Sequence, residues 1–209
     1  MAACFISLLI LFGIYPVEGN EVNSRDCRPT SHDILGPYYV PNPPRLLKYC
    51  TGDPELHQHE RLVVSGYVYK SDCITPMTNT RIDIWQADLS GNYTLGAKCR
   101  GYLRTDSRGY YEFSTLYPGK YHLLSEAFRP AHIHFMVNGK RHHKTLITQL
   151  YFAGDLNLGP NDPCTVCSSD REDLVAHVEF LCETHDHSNC IQLVRFDIVL
   201  ERGRGLSRT

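Results

Sequence analysis

The chain has 209 residues, with 21 Lys and Arg against 23 Asp and Glu, a formal net charge of −2 and 42% hydrophobic residues. That balance, with no basic run, gives no electrostatic footprint for nucleic acid or an anionic membrane surface, and leaves a small molecule or another protein as the expected partner. Beyond the first residues no segment is long and apolar enough to be expected to span a bilayer.

Phe5 to Tyr15 form an apolar run of signal-peptide length, and Val17-Glu18-Gly19 offers small residues for cleavage. Residues 1–19 are therefore expected to be a leader that sends the chain out of the cell. The remaining length, about 190 residues, suffices for one domain with its own core. Cys4 leaves with the leader, and Cys27, Cys50, Cys73, Cys99, Cys164, Cys167, Cys182 and Cys190 remain. An even number behind a leader argues for up to four disulfides in an oxidising compartment, with on the order of a hundred possible pairings. The sharper alternative is zinc, because Cys164-x-x-Cys167 is followed by Cys182, His185, His187 and Cys190 at finger-like spacing.

Asn20 to Glu60 is rich in Pro, Asn, Asp and His and carries little periodicity, which predicts an extended arm wrapped over a domain spanning 61–209. Within the arm, Gly36-Pro37-Tyr38-Tyr39 reads as a turn followed by two packing aromatics. Strands are predicted at 61–70, 80–86, 110–114, 120–125, 131–137, 144–152 and 191–200, from their Val, Ile, Tyr and Phe content and their alternation. Turns at Asp72 to Pro76, Asp106 to Gly109 and Pro118-Gly119 separate several of them. Asp170 to Cys182 fits a short helix capped by Ser169 or Asp170, or a strand with Val175, His177 and Glu179 along one side. Many short strands with turn signals and few helical patterns predict an all-β, antiparallel β-sandwich, with no internal repeat and no domain boundary after Glu60.

The candidate functional stretch is Arg129-Pro130-Ala131-His132-Ile133-His134-Phe135. On a strand, residues i and i+2 share one face roughly 6 to 7 Å apart, which suits two imidazoles closing on one metal. Spacing alone does not select this pair. Eleven histidines give about 0.6 such pairs by chance, and the chain has three: His57/His59, His132/His134 and His185/His187. The first lies in a polar segment and the third between Cys182 and Cys190, where surface loop is the plainer reading. Only the middle pair opens a predicted strand, behind Arg129 and the rigid Pro130.

Several blocks together resemble the intradiol ring-cleavage dioxygenases, the catechol and protocatechuate 3,4-dioxygenase family. They are Gly36-Pro37-Tyr38-Tyr39, VSGYVYKSDCITPMTNTRIDIWQADLSGNY (Val64 to Tyr93), GYLRTDSRGYYEFSTLYPGKY (Gly101 to Tyr121), RPAHIHF (Arg129 to Phe135) and LITQLYFAGD (Leu146 to Asp155). They run in the family's order over residues 36 to 155. The resemblance implies a β-sandwich of the intradiol dioxygenase, prealbumin-like kind and one non-haem Fe(III) per chain, with Tyr93, Tyr121, His132 and His134 as ligands. Elementary chemistry agrees: a hard, highly charged ion favours anionic oxygen, and a free phenol with pKa about 10 needs a cation to hold its anion at neutral pH.

The reaction implied is cleavage of a catechol between its two hydroxylated carbons, with both atoms of O2 entering a cis,cis-muconate-type product. Tyr121 would yield its place to the substrate and accept a proton. Arg129 would stabilise negative charge developing on the ring, with Gln149 in the same pocket and Pro37 and Tyr38 against the substrate. A structural salt bridge is the plainer role for Arg129. The tryptophans common around the family's site are missing: Phe128 precedes Arg129 and His122-Leu123 follows Tyr121, so a different pocket wall is expected. No long helical N-terminal segment of the dimerising kind is present, and the resemblance to smaller extracellular members implies a monomer with an open pocket.

Asn92-Tyr93-Thr94 is an N-glycosylation sequon, and Asn92 is expected to be unmodified or to point away from the site. Two rival readings exist. A non-catalytic, secreted transthyretin-like binding module explains the strands and cysteines but not Tyr93, Tyr121 and the histidine block together. A cupin or two-His-one-carboxylate Fe(II) oxygenase needs a carboxylate soon after the histidines, where Asn138 and Gly139 follow and the first acidic residue is Asp155.

Overall fold

The computed structural model describes residues 27–46, 61–94, 99–122, 127–140, 142–182 and 190–203. The expected leader, residues 20–26 and 47–60 of the expected arm, and the pairs His57/His59 and His185/His187 lie outside them. Among the described residues ten strands follow in order: β1 (Arg61–Tyr69), β2 (Arg81–Gln86), β3 (Arg100–Arg104), β4 (Tyr110–Leu116), β5 (His132–Val137), β6 (Leu146–Phe152), β7 (Val175–Ala176), β8 (Val178–Cys182), β9 (Cys190–Arg195) and β10 (Ile198–Val199).

Strand β1 shows why the sequence folds this way. Leu62, Val64, Gly66 and Val68 are buried and the residues between them are half-exposed, the alternation of a strand with one face on a core. It pairs antiparallel with β4, and parallel with β9 and then β10; β8 lies beyond β9. The second sheet runs β3-β2-β5-β6-β7, antiparallel except for β6 with β7. The sandwich is therefore mixed where an antiparallel one was expected, because the C-terminal strands return alongside β1 through long connections.

Other expectations are refined. The strand predicted over 191–200 divides at Phe196 and Asp197, which leave the ladder while still bonding β1: Phe196 N–H donates to Ser65 O at 2.8 Å and Tyr67 N–H to the Asp197 carboxylate at 2.9 Å. Of the strand predicted over 120–125, Lys120 and Tyr121 lie outside any strand, His122 makes a bridge to Phe128 and residues 123–125 lie outside the described residues; Lys120 and Tyr121 follow Gly119, whose N–H donates to Asp88 O at 2.9 Å. β3 was not anticipated, since Arg100-Gly101-Tyr102-Leu103-Arg104 lacks an apolar alternation. The ambiguous 170–182 segment resolves as a 3-10 turn at Glu172–Leu174 followed by β7 and β8.

The core lies between the sheets, with Leu62, Val64, Ile82, Phe113, Ile133, Phe135, Val137 and Leu150 among its members. Disulfides join Cys27 to Cys73, Cys164 to Cys167 and Cys182 to Cys190, and Cys99 is also disulfide-bonded. Those thiols are consumed, so the zinc alternative falls. Among the described residues no helix is long and apolar enough to cross a membrane.

Candidate metal centre

Because Ile133, Phe135 and Val137 of β5 face the core, His132 and His134 must face the other side of the second sheet. Ladder register extends that face into rows. Trp85 lies opposite both Arg100 and His134, and His134 lies opposite Gln149, so one row crosses four strands; His132 and Tyr151 are partners in the next row.

Extended residues 33–39 cover these rows. Tyr151 donates to the Asp33 carboxylate at 2.7 Å, Gln149 Nε2 to Ile34 O at 3.0 Å, and Arg100 Nη1 to Tyr38 O at 2.8 Å. Tyr39 donates to Asp83 at 3.1 Å while its ring tilts over Trp85 at 4.9 Å. Gly36, at φ +71, passes so close to His134 that an added Cβ would stand 3.2 Å from its Cε1.

The tyrosines arrive on turns. The Asp88 carboxylate accepts the Ser90 and Asn92 N–H groups at 3.0 and 2.9 Å, pinning the turn that delivers Tyr93. Asp88 O accepts the N–H groups of Gly91 and Gly119, at 3.0 and 2.9 Å, which ties this turn to the one that delivers Tyr121. Backbone meets backbone there. A Cβ on Gly91 would lie 2.1 Å from Lys120 O and one on Gly119 2.4 Å from Gly91 N, so only glycine permits the approach.

Four rings converge. Centroids lie 4.8 Å apart for His132 and His134, 5.3 Å for Tyr93 and Tyr121, 5.7 Å for Tyr121 and His132, and 6.1 Å for Tyr93 and His134. His132 Nδ1 lies 2.7 Å from Pro130 O, so it carries the proton and Nε2 offers its lone pair toward Tyr93, whose hydroxyl donates to it at 3.2 Å. The His134 ring stacks on Trp85 at 4.7 Å, and its Nδ1 is buried without a hydrogen-bond partner.

Burial, helped by Arg129, pushes His132 down to about 3; burial, then His132 and the Arg129 and Arg100 charges, holds His134 well below the usual imidazole range. Both imidazoles are neutral at neutral pH, the form that ligates. Burial pushes the Tyr93 and Tyr121 phenols up, and the neighbouring Arg129 charge only partly opposes it. Neither phenol ionises unaided, so the donor set calls for a cation. Among the described residues no three His, Cys, Asp or Glu side chains gather, which removes the two-His-one-carboxylate reading and leaves two imidazoles and two phenols. That set suits a hard, highly charged ion.

Arg129 is 1% exposed. Its Nε and Nη2 clasp Asp162 at 3.1 and 3.0 Å, Nη2 donates to Tyr151 at 2.9 Å and Nη1 to Gln149 Oε1 at 3.3 Å. The structure thus supplies a salt bridge for Arg129 and seats it beside Tyr121: the Arg129 backbone N–H donates to Tyr121 O at 3.0 Å, and the guanidinium charge partly offsets the effect of burial on the phenol. Tyr38 stacks on Tyr93 at 4.2 Å and meets Tyr121 edge-on at 6.0 Å. With Gly91, Asn92, Lys120 and Phe128 it lines an open cleft of about 450 Å³ leading to the centre.

Asn92 is exposed and lines that cleft. Two expectations change here. Pro37 is exposed and does not line it. A tryptophan is present after all, since Trp85 lies against His134, reached from β2 and not from the residues flanking Tyr121 and Arg129. A larger cleft of about 620 Å³, between Arg28 to Ser31 and Asp170 to Asp173, contains none of these groups.

Comparison with known proteins gives a consistent picture. The Dioxygenase family profile matches residues 34–202. Protocatechuate 3,4-dioxygenase beta chain from Burkholderia cepacia is 35% identical over 163 residues, covering 69% of this chain and 66% of its own length. Chlorocatechol 1,2-dioxygenase from Pseudomonas putida is 31% identical over 216 residues, covering 92% of this chain and 75% of its own length. Among solved structures, the dioxygenase domain of a dioxygenase carbohydrate-binding fusion from Streptomyces sp. SirexAA-E has TM-score 0.65 at 28% identity, covering 83% of this chain and 99% of that one. A 3-chlorocatechol 1,2-dioxygenase from Rhodococcus opacus has TM-score 0.71 at 24% identity, covering 86% of this chain and 75% of that one, a likeness of fold.

Proposed function

The chain belongs to the intradiol ring-cleavage dioxygenases, and from that premise we propose that it opens catechol-type rings with O2 between the two hydroxylated carbons, giving cis,cis-muconate-type products. One non-haem Fe(III) would be held by Tyr93, Tyr121, His132 and His134. The observation that carries the reading is the convergence of two neutral, buried imidazoles with two phenols that cannot ionise without a cation.

Bound there, ferric iron would supply Lewis acidity toward a catechol-type substrate. The protein does the rest. His132 and His134, fixed in a ladder, would define where the ion sits. Tyr121, which lines the cleft, would be the ligand to yield its place and take a substrate proton, with the Arg129 charge close by to ease its ionisation. Arg129 sets a buried positive group toward the ring, and Gln149 braces it. Tyr38, stacked on Tyr93, forms the wall along which an aromatic ring enters. The disulfides support an exported protein; it would work as a monomer with an open cleft.

The test is iron content, a visible tyrosinate-to-iron absorption band and muconate formation from catechol and O2, for wild type beside Tyr121→Phe and His134→Ala. Wild type is expected to be coloured and active, Tyr121→Phe to be paler and slow, and His134→Ala to be iron-poor and inert. Wild type fully loaded with ferric iron yet inert toward catechols overturns the reading.

A further inference from the structure

Arg129 has five N–H groups, and the structure gives four of them a partner. Two go to Asp162, one to Tyr151 and one to Gln149, while the guanidinium charge acts on the neighbouring Tyr121 phenol. Asp162 is itself 7% exposed and tightly held: its Oδ1 accepts the Cys164 N–H at 2.9 Å, and its own N–H donates to Gly159 O at 3.0 Å. The disulfide between Cys164 and Cys167 closes the loop that follows.

We infer that Asp162 is the positioning residue of the reaction, the group that fixes the plane of the Arg129 guanidinium so that it faces Tyr121 and the substrate oxygen that takes Tyr121's place. The inference rests on the catechol-cleaving function proposed above.

Two considerations carry it. A buried ion pair adds little stability over apolar packing of the same volume, so stability does not account for enclosing a full charge pair beside the centre. A two-pronged carboxylate–guanidinium contact does fix the plane of an otherwise flexible side chain. It also cancels the net charge of Arg129, so Arg129 acts through direction rather than through total charge. Charge and direction then make opposite demands. If only charge mattered, removing the Asp162 carboxylate would leave a stronger cation and a faster enzyme. If direction matters, the same change slows it.

The test uses iron-loaded protein with catechol. Asp162→Asn keeps the shape and removes the charge; Asp162→Glu keeps the charge and displaces the fork. Both are expected to lower kcat by about 10- to 100-fold, the scale set by misplacing a catalytic group by about 1 Å, with KM little changed. Iron content stays at the wild-type level, while the tyrosinate-to-iron band shifts as the Arg129 charge beside Tyr121 is displaced. In an Arg129→Gln background, Asp162→Asn is expected to add no further loss, because Asp162 acts only through Arg129. The double variant also avoids an unpaired buried charge, so it reads out even if Asp162→Asn alone folds poorly.

Wild-type kcat in either single variant overturns the inference, as does an additive loss in the double. Failure of iron-loaded wild type to cleave catechol instead overturns the functional reading, and the band shift still reports whether Asp162 aligns Arg129 on Tyr121.

Discussion

Strand β5 and the two turns joined at Gly91 and Gly119 hold opposite halves of one centre by different means. His132 and His134 sit in a ladder bonded on both sides, over a core of Ile133, Phe135 and Val137, so moving either imidazole means breaking sheet. Tyr93 and Tyr121 hang from turns whose rigidity comes from the Asp88 contacts, and Arg100 ties the Tyr93 side by donating to the carbonyls of Thr94 and Tyr38. In the proposed reading the strand wall would fix the ion's position. The turn wall can yield, and the proposed reaction requires a ligand to yield there, at Tyr121.

The sharpest way to break that contrast is to delete a strand ligand. His134→Ala is expected to weaken ferric iron binding by more than about 100-fold, since loss of a supporting partner alone costs 10- to 100-fold. The metal-free fold should survive, because the histidine's buried Nδ1 is already without a partner. Iron content after dialysis and metal-free melting decide it. Wild-type iron occupancy would mean that the turn wall alone holds the ion.

The two walls also differ in how far the sequence foretells them. A strand's period of two is local, so His-x-His in an apolar run announces two imidazoles on one face, and Trp85 in Arg-Ile-Asp-Ile-Trp-Gln was readable by the same alternation had the register of β2 on β5 been known. Register is a long-range property, and nothing near Trp85 encodes it. The turn wall has no period. Tyr93 and Tyr121 were singled out from thirteen tyrosines only by resemblance to a family, and Lys120 and Tyr121, which looked like strand, owe their placement to Gly119 meeting Gly91. Asp162, Tyr151 and Asp33 gave no local signal, since a carboxylate in a loop reads as solvated until the fold brings Arg129 to it.

Acid sharpens the comparison next. In the unfolded chain both histidines take up a proton near pH 6.5. In the folded, metal-free chain burial prevents this until far lower pH, about 3 for His132. Below about 6.5 the unfolded state therefore binds more protons, and stability should fall with pH by about 1.4 kcal/mol per unit for each histidine. Above about 6.5 the contribution is complete. Denaturant midpoints between about pH 7 and pH 5 measure the slope, and His134→Ala should remove the share of one histidine. A flat profile would mean that the strand wall is hydrated without its metal.

Arg100→Met probes the turn wall. Arg100 is 4% exposed and forms no ion pair with a carboxylate among the described residues. Its loss strands the Tyr38 and Thr94 carbonyls, and the expected cost is about 2 kcal/mol after relief of the buried charge. Iron content should hold while the tyrosinate-to-iron band weakens, because Tyr93 loosens and the histidines do not. Loss of iron together with the band would show the two walls to be one unit.

Tyr39→Phe should have the smallest effect and tests whether the strand wall needs the segment lying over it. The change removes only a hydroxyl that donates to Asp83 at 3.1 Å, and Asp83 keeps its 2.6 Å contact with Arg81. A net hydrogen bond of this kind is worth about 1 kcal/mol. The ring remains to pack on Trp85, so the Trp85–His134 stack is undisturbed. Denaturation should therefore register the loss while iron content, band position and kcat stay at wild-type values. A drop of about tenfold in kcat would have to travel from Tyr39 through Trp85 to His134, and β5 would then owe its hold on the metal to residues 33–39 as much as to its own ladder.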